Sequence, residues 1–324
     1  MKRILVTGAA GYIGSVLTRQ LLAKNYTVRA FDVLNFGGEA LIDVYSHKNL
    51  EFIKGDIRKE ADIRNAIKDV DAVVHLAAIV GDPACAAQSD VALATNWEGS
   101  KLLFDICQDT PSVKRFVFAS TCSNYGKMEG HDFLNEESPL RPVSLYAELK
   151  VKFEKYILES KKRSDFIATA LRFATVYGLS SRMRFDLTVN EFMREVALGR
   201  ELVIFGEQFW RPYCHVADLA GACVIVLESE ESKVANNVFG VGDTNENYQK
   251  KMIADEIIKI IPNAKIKYVQ RNVDPRDYRV DFSKITNILG FKISWTVPMG
   301  LEEIYSIIKN GILSNPDSIK YNNI

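Results

Sequence analysis

No stretch of this 324-residue sequence approaches the ~20 consecutive apolar residues that a bilayer crossing requires, so no membrane span is expected. Cysteine is scarce. Cys85, Cys107, Cys122, Cys214 and Cys223 are scattered, with no C-x-x-C pair and no histidine at ligand spacing. That pattern argues against a metal centre and a disulfide framework, and it fits a reducing compartment. Neither sign of charge is in excess, because 41 lysines and arginines balance 41 aspartates and glutamates. A global field that would gather nucleic acid or an anionic membrane is therefore lacking, and any anion selectivity must be local. The first residues carry no charged-then-apolar leader, and Met1 stands just ahead of a predicted core strand, so a cytoplasmic location is expected. Internal repeats, low-complexity tracts and long linkers are also missing. The length suits one large or two modest domains.

What is present is concentrated first between Lys2 and Gly14. The apolar run Ile4-Leu5-Val6 leads into Gly8, Gly11 and Gly14 in G-x-x-G-x-x-G spacing, and residues 15–23 read as a helix. A helix N-terminus offers free N–H groups and partial positive charge, so a pyrophosphate docks there if residues without a Cβ let the backbone approach. The expected guest is a dinucleotide, with the intervening Tyr12 and Ile13 counted among its contact positions. Further on, Thr27-Val28-Arg29-Ala30-Phe31 gives a second strand ending in Asp32, whose carboxylate would accept bonds from the adenosine ribose hydroxyls. A 2′-phosphate would be repelled by Asp32, and Val33-Leu34-Asn35 supply no cation. NAD is favoured over NADP.

Leu50 to Ile57 reads as a third strand and Asp71 to Ala78 as a fourth, the latter apolar enough to be buried on both faces. The fourth strand ends in small residues, Leu76-Ala77-Ala78, which leave room for a cofactor at a strand's carboxyl end. His75 reads as a packing or hydrogen-bonding residue. Residues 92–107 have a long helical pattern, Arg115 to Thr121 is a fifth strand, and Ala168 to Phe173 a sixth. Strands alternating with helices at this pace indicate an α/β doubly wound parallel sheet with helices on both faces. Residues 1–173 would form that domain, and 174–324 a smaller α/β lobe interleaved with it, residues 215–242 returning to the sheet. Residues 247–261 read as an amphipathic helix. The segment from Asn310 on carries no readable function.

The fifth strand ends in the hydroxyl-rich run Ser120-Thr121-Cys122-Ser123, and Tyr146 and Lys150 follow four residues apart, on one face of a helix. Chemistry can use that pair. A phenol with a pKa near ~10 serves as a base at neutral pH only if its phenolate is stabilised by about three units, on the order of 4 kcal/mol. An ammonium and a nicotinamide cation nearby both push that way. Tyr146 would take the proton from a sugar hydroxyl, Thr121 would bond the same oxygen, and Lys150 would also hold the nicotinamide ribose.

Together Gly8, Gly11, Gly14, Asp32, Gly55-Asp56-Ile57, His75-Leu76-Ala77-Ala78, Asn96, Thr121 to Gly126, Tyr146 and Lys150 resemble the extended short-chain dehydrogenase/reductase family of nucleotide-sugar epimerases and dehydratases. The resemblance covers nearly the whole chain. It implies a Rossmann fold, contacts from Asp56 and Ile57 to the adenine, and support of the catalytic helix by Asn96. Thr121, Tyr146 and Lys150 would be the catalytic trio. It also implies a homodimer joined by helices around residues 97–108 and 146–160. Ala174-Thr175-Val176-Tyr177-Gly178 is similar to a family segment in which Thr175 replaces an asparagine. Arg182, Arg184, Asn190 and Arg211 are candidates for a substrate diphosphate, for which a guanidinium fork is suited. Arg211-Pro212-Tyr213-Cys214-His215-Val216-Ala217-Asp218 resembles another family motif, with proline in place of an aspartate. Asp274 to Asp281 is similar to the segment that closes over the nucleotide, with Arg276 as a contact.

The resemblance further implies oxidation of the sugar, usually at C4. A 4,6-dehydratase of this family carries an Asp-Glu pair after the catalytic threonine, whereas this chain has Cys122 and Ser123. A neutral hydroxyl is a poor base and a thiol a mediocre one, so ordinary dehydration is disfavoured. A C4 epimerase needs only the trio and space for the keto sugar to turn. Epimerisation at C3 or C5 would recruit Cys122 or Cys85. Residues 181–187 together with Asp274 to Tyr278 are similar to a subgroup containing nucleotide-heptose 4-dehydrogenases, which release the ketone. The expectation is an epimerase, with that dehydrogenase as the alternative.

Overall fold

Alternate residues of a strand point to opposite faces, and Ile4, Leu5 and Val6 are all fully buried, so the strand that holds them must be covered on both sides. The computed structural model, which describes residues 2–128, 130, 132–270 and 276–323, shows how. Its strands are β1 (Arg3–Thr7), β2 (Thr27–Asp32), β3 (Leu50–Lys54), β4 (Ala72–His75), β5 (Arg115–Thr121), β6 (Ile167–Phe173), β7 (Thr175–Tyr177), β8 (Leu202–Phe205), β9 (Trp210–His215), β10 (Asn237–Val241), β11 (Asn247–Gln249) and β12 (Ile266–Val269). Seven of them form one parallel sheet in the order β3-β2-β1-β4-β5-β6-β10.

Ile4 and Val6 belong to the core with Leu17, Leu21, Leu219 and Cys223, beneath the helices Tyr12–Ala23 and Val216–Glu228. Leu5 faces the other way, into a core with Val73, Phe104, Phe116, Phe153 and Ile157, beneath Ser100–Asp109 and Leu145–Glu159. Strand order reverses between β1 and β4, which opens a crevice at the carboxyl ends of those strands.

A single residue, Ala174, separates β6 from β7, so the chain leaves the sheet directly at the carboxyl end of β6. β7 pairs parallel with β9, which pairs antiparallel with β11, and β8 pairs with β12. The helices Thr188–Ala197, Lys250–Ile260 and Val297–Lys309 close a third core around Tyr177, Met193, Ile204, Ile253 and Leu301. From β9 the chain re-enters the main sheet through Val216–Glu228 and β10.

Two segments differ from their sequence patterns. Residues 92–107 were expected as one helix, but the helical path runs through Ser89–Leu93, a π-helical stretch Ala94–Gly99 and Ser100–Asp109. The wider π turn aims the buried Asn96 at the backbone of Ile79, which it bonds at both N–H and C=O, each at 2.8 Å. Residues 247–261 were expected to be helical throughout, but Asn247–Gln249 is a strand. Asn247 is held there because its side chain accepts from the Val280 N–H and donates to the Val280 and Thr244 carbonyls.

Under the sheet's carboxyl edge lies a buried polar network. Arg172 on β6 bonds Glu154 on the helix Leu145–Glu159 at 2.7 Å, with side chains 6% and 2% exposed. Glu154 also accepts from Ser120 at 2.6 Å and from Asn124 at 3.3 Å. Arg172 donates further to the Tyr125 hydroxyl and the Glu136 carbonyl, both at 3.1 Å. Removing one charge of a buried pair strands the other. Glu154→Gln should therefore cost about 3–5 kcal/mol, read as a lower urea midpoint, whereas an exposed pair such as Arg64–Glu60 should cost under about 1 kcal/mol.

Candidate active site

Gly8 has φ +73°, and a Cβ there would lie 2.8 Å from the Ala77 nitrogen. A Cβ on Gly14 would come within 2.0 Å of the Gly8 carbonyl oxygen. Glycine is thus required where β1, β4 and the first helix meet. That helix begins with no side-chain cap and no acidic residue in its first turn. Its free N–H groups and the bare cradle in front of them fit a phosphate-bearing dinucleotide. At the end of β2, Asp32 accepts from the Ala10 N–H at 3.0 Å and the Leu34 N–H at 2.7 Å, while burial pushes its carboxyl up. Asp56 is held below the usual carboxylate range by Arg58.

A cavity of about 610 Å³ runs from this cradle to the small lobe. Its walls include Gly8, Gly11, Tyr12, Ile13, Gly14, Asp32, Asp56, Ile57, Leu76, Ala77 and Ala78 from the cofactor set. Thr121, Ser123, Tyr146, Lys150, Thr175, Arg184 and Arg276 line it as well. The Ser144 hydroxyl caps the helix Leu145–Glu159 by accepting from the Ala147 N–H, which sets Tyr146 and Lys150 on the cavity side. Tyr146 is hydrogen-bonded to the Thr121 side chain, and the Thr121 hydroxyl oxygen also accepts from the Ser123 N–H at 3.1 Å.

The electrostatics differ from the sequence expectation in one respect. Burial raises the Tyr146 phenol above its ordinary value, and the nearby Cys85 and Asp82 add to the rise; Thr121 and Arg184 act the other way. Lys150 is pulled down to about 8 by burial. Its ammonium donates to the Ala119 carbonyl at 2.7 Å, lies 4.7 Å from the Phe118 ring centroid and 5.9 Å from that of Tyr146. The chain alone therefore keeps Tyr146 protonated. His75 packs as expected, between Thr7 at 2.7 Å and Ser100 at 2.9 Å, and burial lowers it to about 3.

Several candidates stand elsewhere. Asn96 lies behind the wall, clamping Ile79 as described. Cys122 does not reach the cavity: it is fully buried, its thiol donates to the Arg172 carbonyl at 3.3 Å, and burial pushes it up. Cys85 is also fully buried, donates to the Ile79 carbonyl at 3.3 Å and is raised to about 11 by burial. Neither thiol is placed for acid–base work. Asn190 is fully buried behind the wall, where it accepts from the Gly178 N–H and donates to the Tyr12 hydroxyl and the Arg184 carbonyl. Arg211 is not part of the cavity wall; it donates to the Trp210 carbonyl, with its guanidinium 5.4 Å from the ring centroid of Tyr278, which does line the cavity. Asp274 and Pro275 lie outside the described residues.

Asp82 and Phe36 are among the wall residues that sequence reasoning missed. Asp82 accepts from Ser144 at 2.6 Å and from Arg276 at 2.8 Å, linking the small lobe to the cap of the tyrosine helix. Its only signal was the G-D-P string after the fourth strand. Phe36, four residues past Asp32, has its ring centroid 4.1 Å from the Arg182 guanidinium.

A sequence profile of the NAD dependent epimerase/dehydratase family matches residues 4–242. The chain is 28% identical over 310 residues to UDP-glucose 4-epimerase of Lactobacillus helveticus, across 90% of this chain and 92% of that protein. Among solved structures it resembles UDP-glucuronic acid 4-epimerase from Bacillus cereus, crystallised with UDP-glucuronic acid and NAD, at 26% identity and TM-score 0.84, covering 95% and 99% of the two chains. It also resembles dTDP-glucose 4,6-dehydratase from Bacillus anthracis, crystallised with NAD, at 26% identity and TM-score 0.83, covering 96% and 98%. Epimerase and dehydratase are matched equally well, so overall likeness does not choose the reaction.

Because Lys150 has its pKa lowered by burial, its charge destabilises the folded chain below pH 8, and the penalty is relieved as pH rises from 8 towards 10.5. Lys150→Met should stabilise NAD-free protein at pH 7 by up to about 3 kcal/mol less the lost Ala119 bond, read as a higher thermal midpoint. The gain should fade by pH 10 in thermal melts.

Proposed function

The chain belongs to the NAD dependent epimerase/dehydratase family, and from that premise we propose that it is a nucleotide-sugar 4-epimerase. The observation that carries the reading is the meeting of Thr121, Tyr146 and Lys150 beside the glycine cradle, where, among the described residues, the nearby wall carboxylates Asp82 and Asp186 are both engaged by other side chains. NAD, its cofactor, supplies the hydride acceptor and donor. Tyr146 takes the proton of the C4 hydroxyl, Thr121 orients the same oxygen, and Lys150 contributes positive charge from one helical turn away. Tyr146 then returns the proton once the sugar has turned its other face.

Elimination of water would need an acid and a base beyond this trio. Ser123 is a neutral hydroxyl, Cys122 is turned away, and both oxygens of Asp82 are engaged. The second reading, a 4-dehydrogenase that releases the ketone, draws support from the likeness of residues 181–187 to the heptose-modifying subgroup. We further read the chain as a homodimer through the helical residues 97–108 and 146–160.

The initial rate of product formation from nucleotide sugars, followed by NMR for wild type and for Tyr146→Phe, tests the assignment. Turnover should fall on the order of 100-fold or more in the variant, the range for a lost acid–base group. Equal turnover would remove Tyr146 from the mechanism. Product NMR separates the two readings: a stereoisomer formed without acceptor supports the epimerase, whereas keto sugar accumulating with consumption of a keto-acid acceptor supports the dehydrogenase.

A further inference from the structure

Arg182 is 7% exposed, yet its Nε and Nη1 have no hydrogen-bond partner among the described residues. Only Nη2 is engaged, donating to the Asn322 carbonyl at 3.1 Å. Arg184, two residues on, contrasts with it. Its guanidinium is held by both carboxylate oxygens of Asp186, so its charge is already met. Burial, with Arg184 adjacent, draws Arg182 down to about 10. A buried guanidinium with unmet donors is destabilising until an anion reaches it.

The surroundings say which anion. The Arg182 N–H donates to Ser180 Oγ, which in turn donates to the Tyr12 carbonyl at 2.7 Å and lies 3.0 Å from Ser15 Oγ. The loop that carries Arg182 therefore rests on the first turn of the helix Tyr12–Ala23. The guanidinium lies against Phe36, near Asp32 at the end of β2, and lines the cavity there. It thus faces the cradle from the side of the small lobe. The 3₁₀ turn Ile319–Tyr321 and the residues after it hold it: the Phe185 N–H donates to the Tyr321 carbonyl at 2.8 Å, the two rings meet edge-on, and Asn323 joins the wall.

We propose that Arg182 is a diphosphate-binding residue of the cofactor site, donating through Nε and Nη1 to the NAD pyrophosphate opposite the helix N-terminus. Residues 318–323, which carried no readable function in the sequence, are the backing that keeps it in place. NAD then bridges the two lobes, and holding it removes an electrostatic defect from the small lobe. A substrate diphosphate has the same chemistry, but the neighbours of Arg182 are Phe36 and the first helix rather than Tyr146 and Thr121.

The test uses full-length protein stripped of NAD, with Arg182→Leu and Arg182→Lys. Calorimetric titration should show NAD bound at least ten-fold more weakly by Arg182→Leu, and UDP binding at saturating NAD changed less than two-fold. NAD-free Arg182→Leu should melt at or above the wild-type midpoint, while its rise on adding NAD shrinks. Arg182→Lys, which keeps the charge and loses the fork, should bind NAD at least three-fold more weakly, and it decides the matter if the leucine variant does not fold. Unchanged NAD affinity, or a loss confined to UDP, would overturn the proposal. None of these readouts depends on which sugar is turned over, so the reaction assignment and this one can fail separately.

Discussion

The ion pair between Glu154 and Arg172 is the constraint on which the active site depends. It joins β6 to the helix of Tyr146 and Lys150 at the level where β5 ends, and Ser120, Asn124 and Tyr125 bind into it. Thr121 follows Ser120 directly, and Lys150 and Tyr146 stand one and two helical turns before Glu154. The distance from Thr121 to Tyr146 is therefore set by a buried polar network inside the core, which tolerates less sliding than apolar contacts do. The same network turns Cys122 inward, because its thiol finds the Arg172 carbonyl. One device thus brings the trio together and takes a potential acid–base group out of the cavity.

That arrangement leaves a resting site with its proton in place. Burial raises the phenol of Tyr146 and lowers the ammonium of Lys150, so both side chains are drawn towards their neutral forms. The ammonium faces the Ala119 carbonyl and the Phe118 ring rather than the phenol oxygen. In the proposed mechanism, positive charge brought by the cofactor adds to that of Lys150, which ties proton removal to occupancy of the glycine cradle. Coupling of that kind suits a chemistry in which proton and hydride must leave together.

Much of this was legible in the sequence. The glycine spacing, Asp32, the small residues after β4 and the Tyr146–Lys150 pair depend on local backbone shape or helical period, and they stand on one cavity. The parallel sheet followed from strands apolar on both faces. What stayed hidden depends on partners distant in the chain. Arg184 finds Asp186 two residues on, but the only carbonyl that Arg182 reaches among the described residues is that of Asn322, 140 residues away. The direction of Cys122 is decided by packing within the main sheet, and the confinement of Asn190 behind the wall and the pairing of Asp82 with Arg276 by packing between lobes. The π turn that aims Asn96 has no periodic signature, because the apolar pattern continues through it.

The central claim is that the sugar is oxidised and reduced again at one carbon without losing its hydrogen to the medium. The most direct measurement is turnover of a nucleotide sugar carrying deuterium at C4, with the product examined by NMR and mass spectrometry. The account predicts a C4 epimer that keeps the deuterium on C4. Deuterium found at C6, lost to the solvent or carried off on a released acceptor would contradict it.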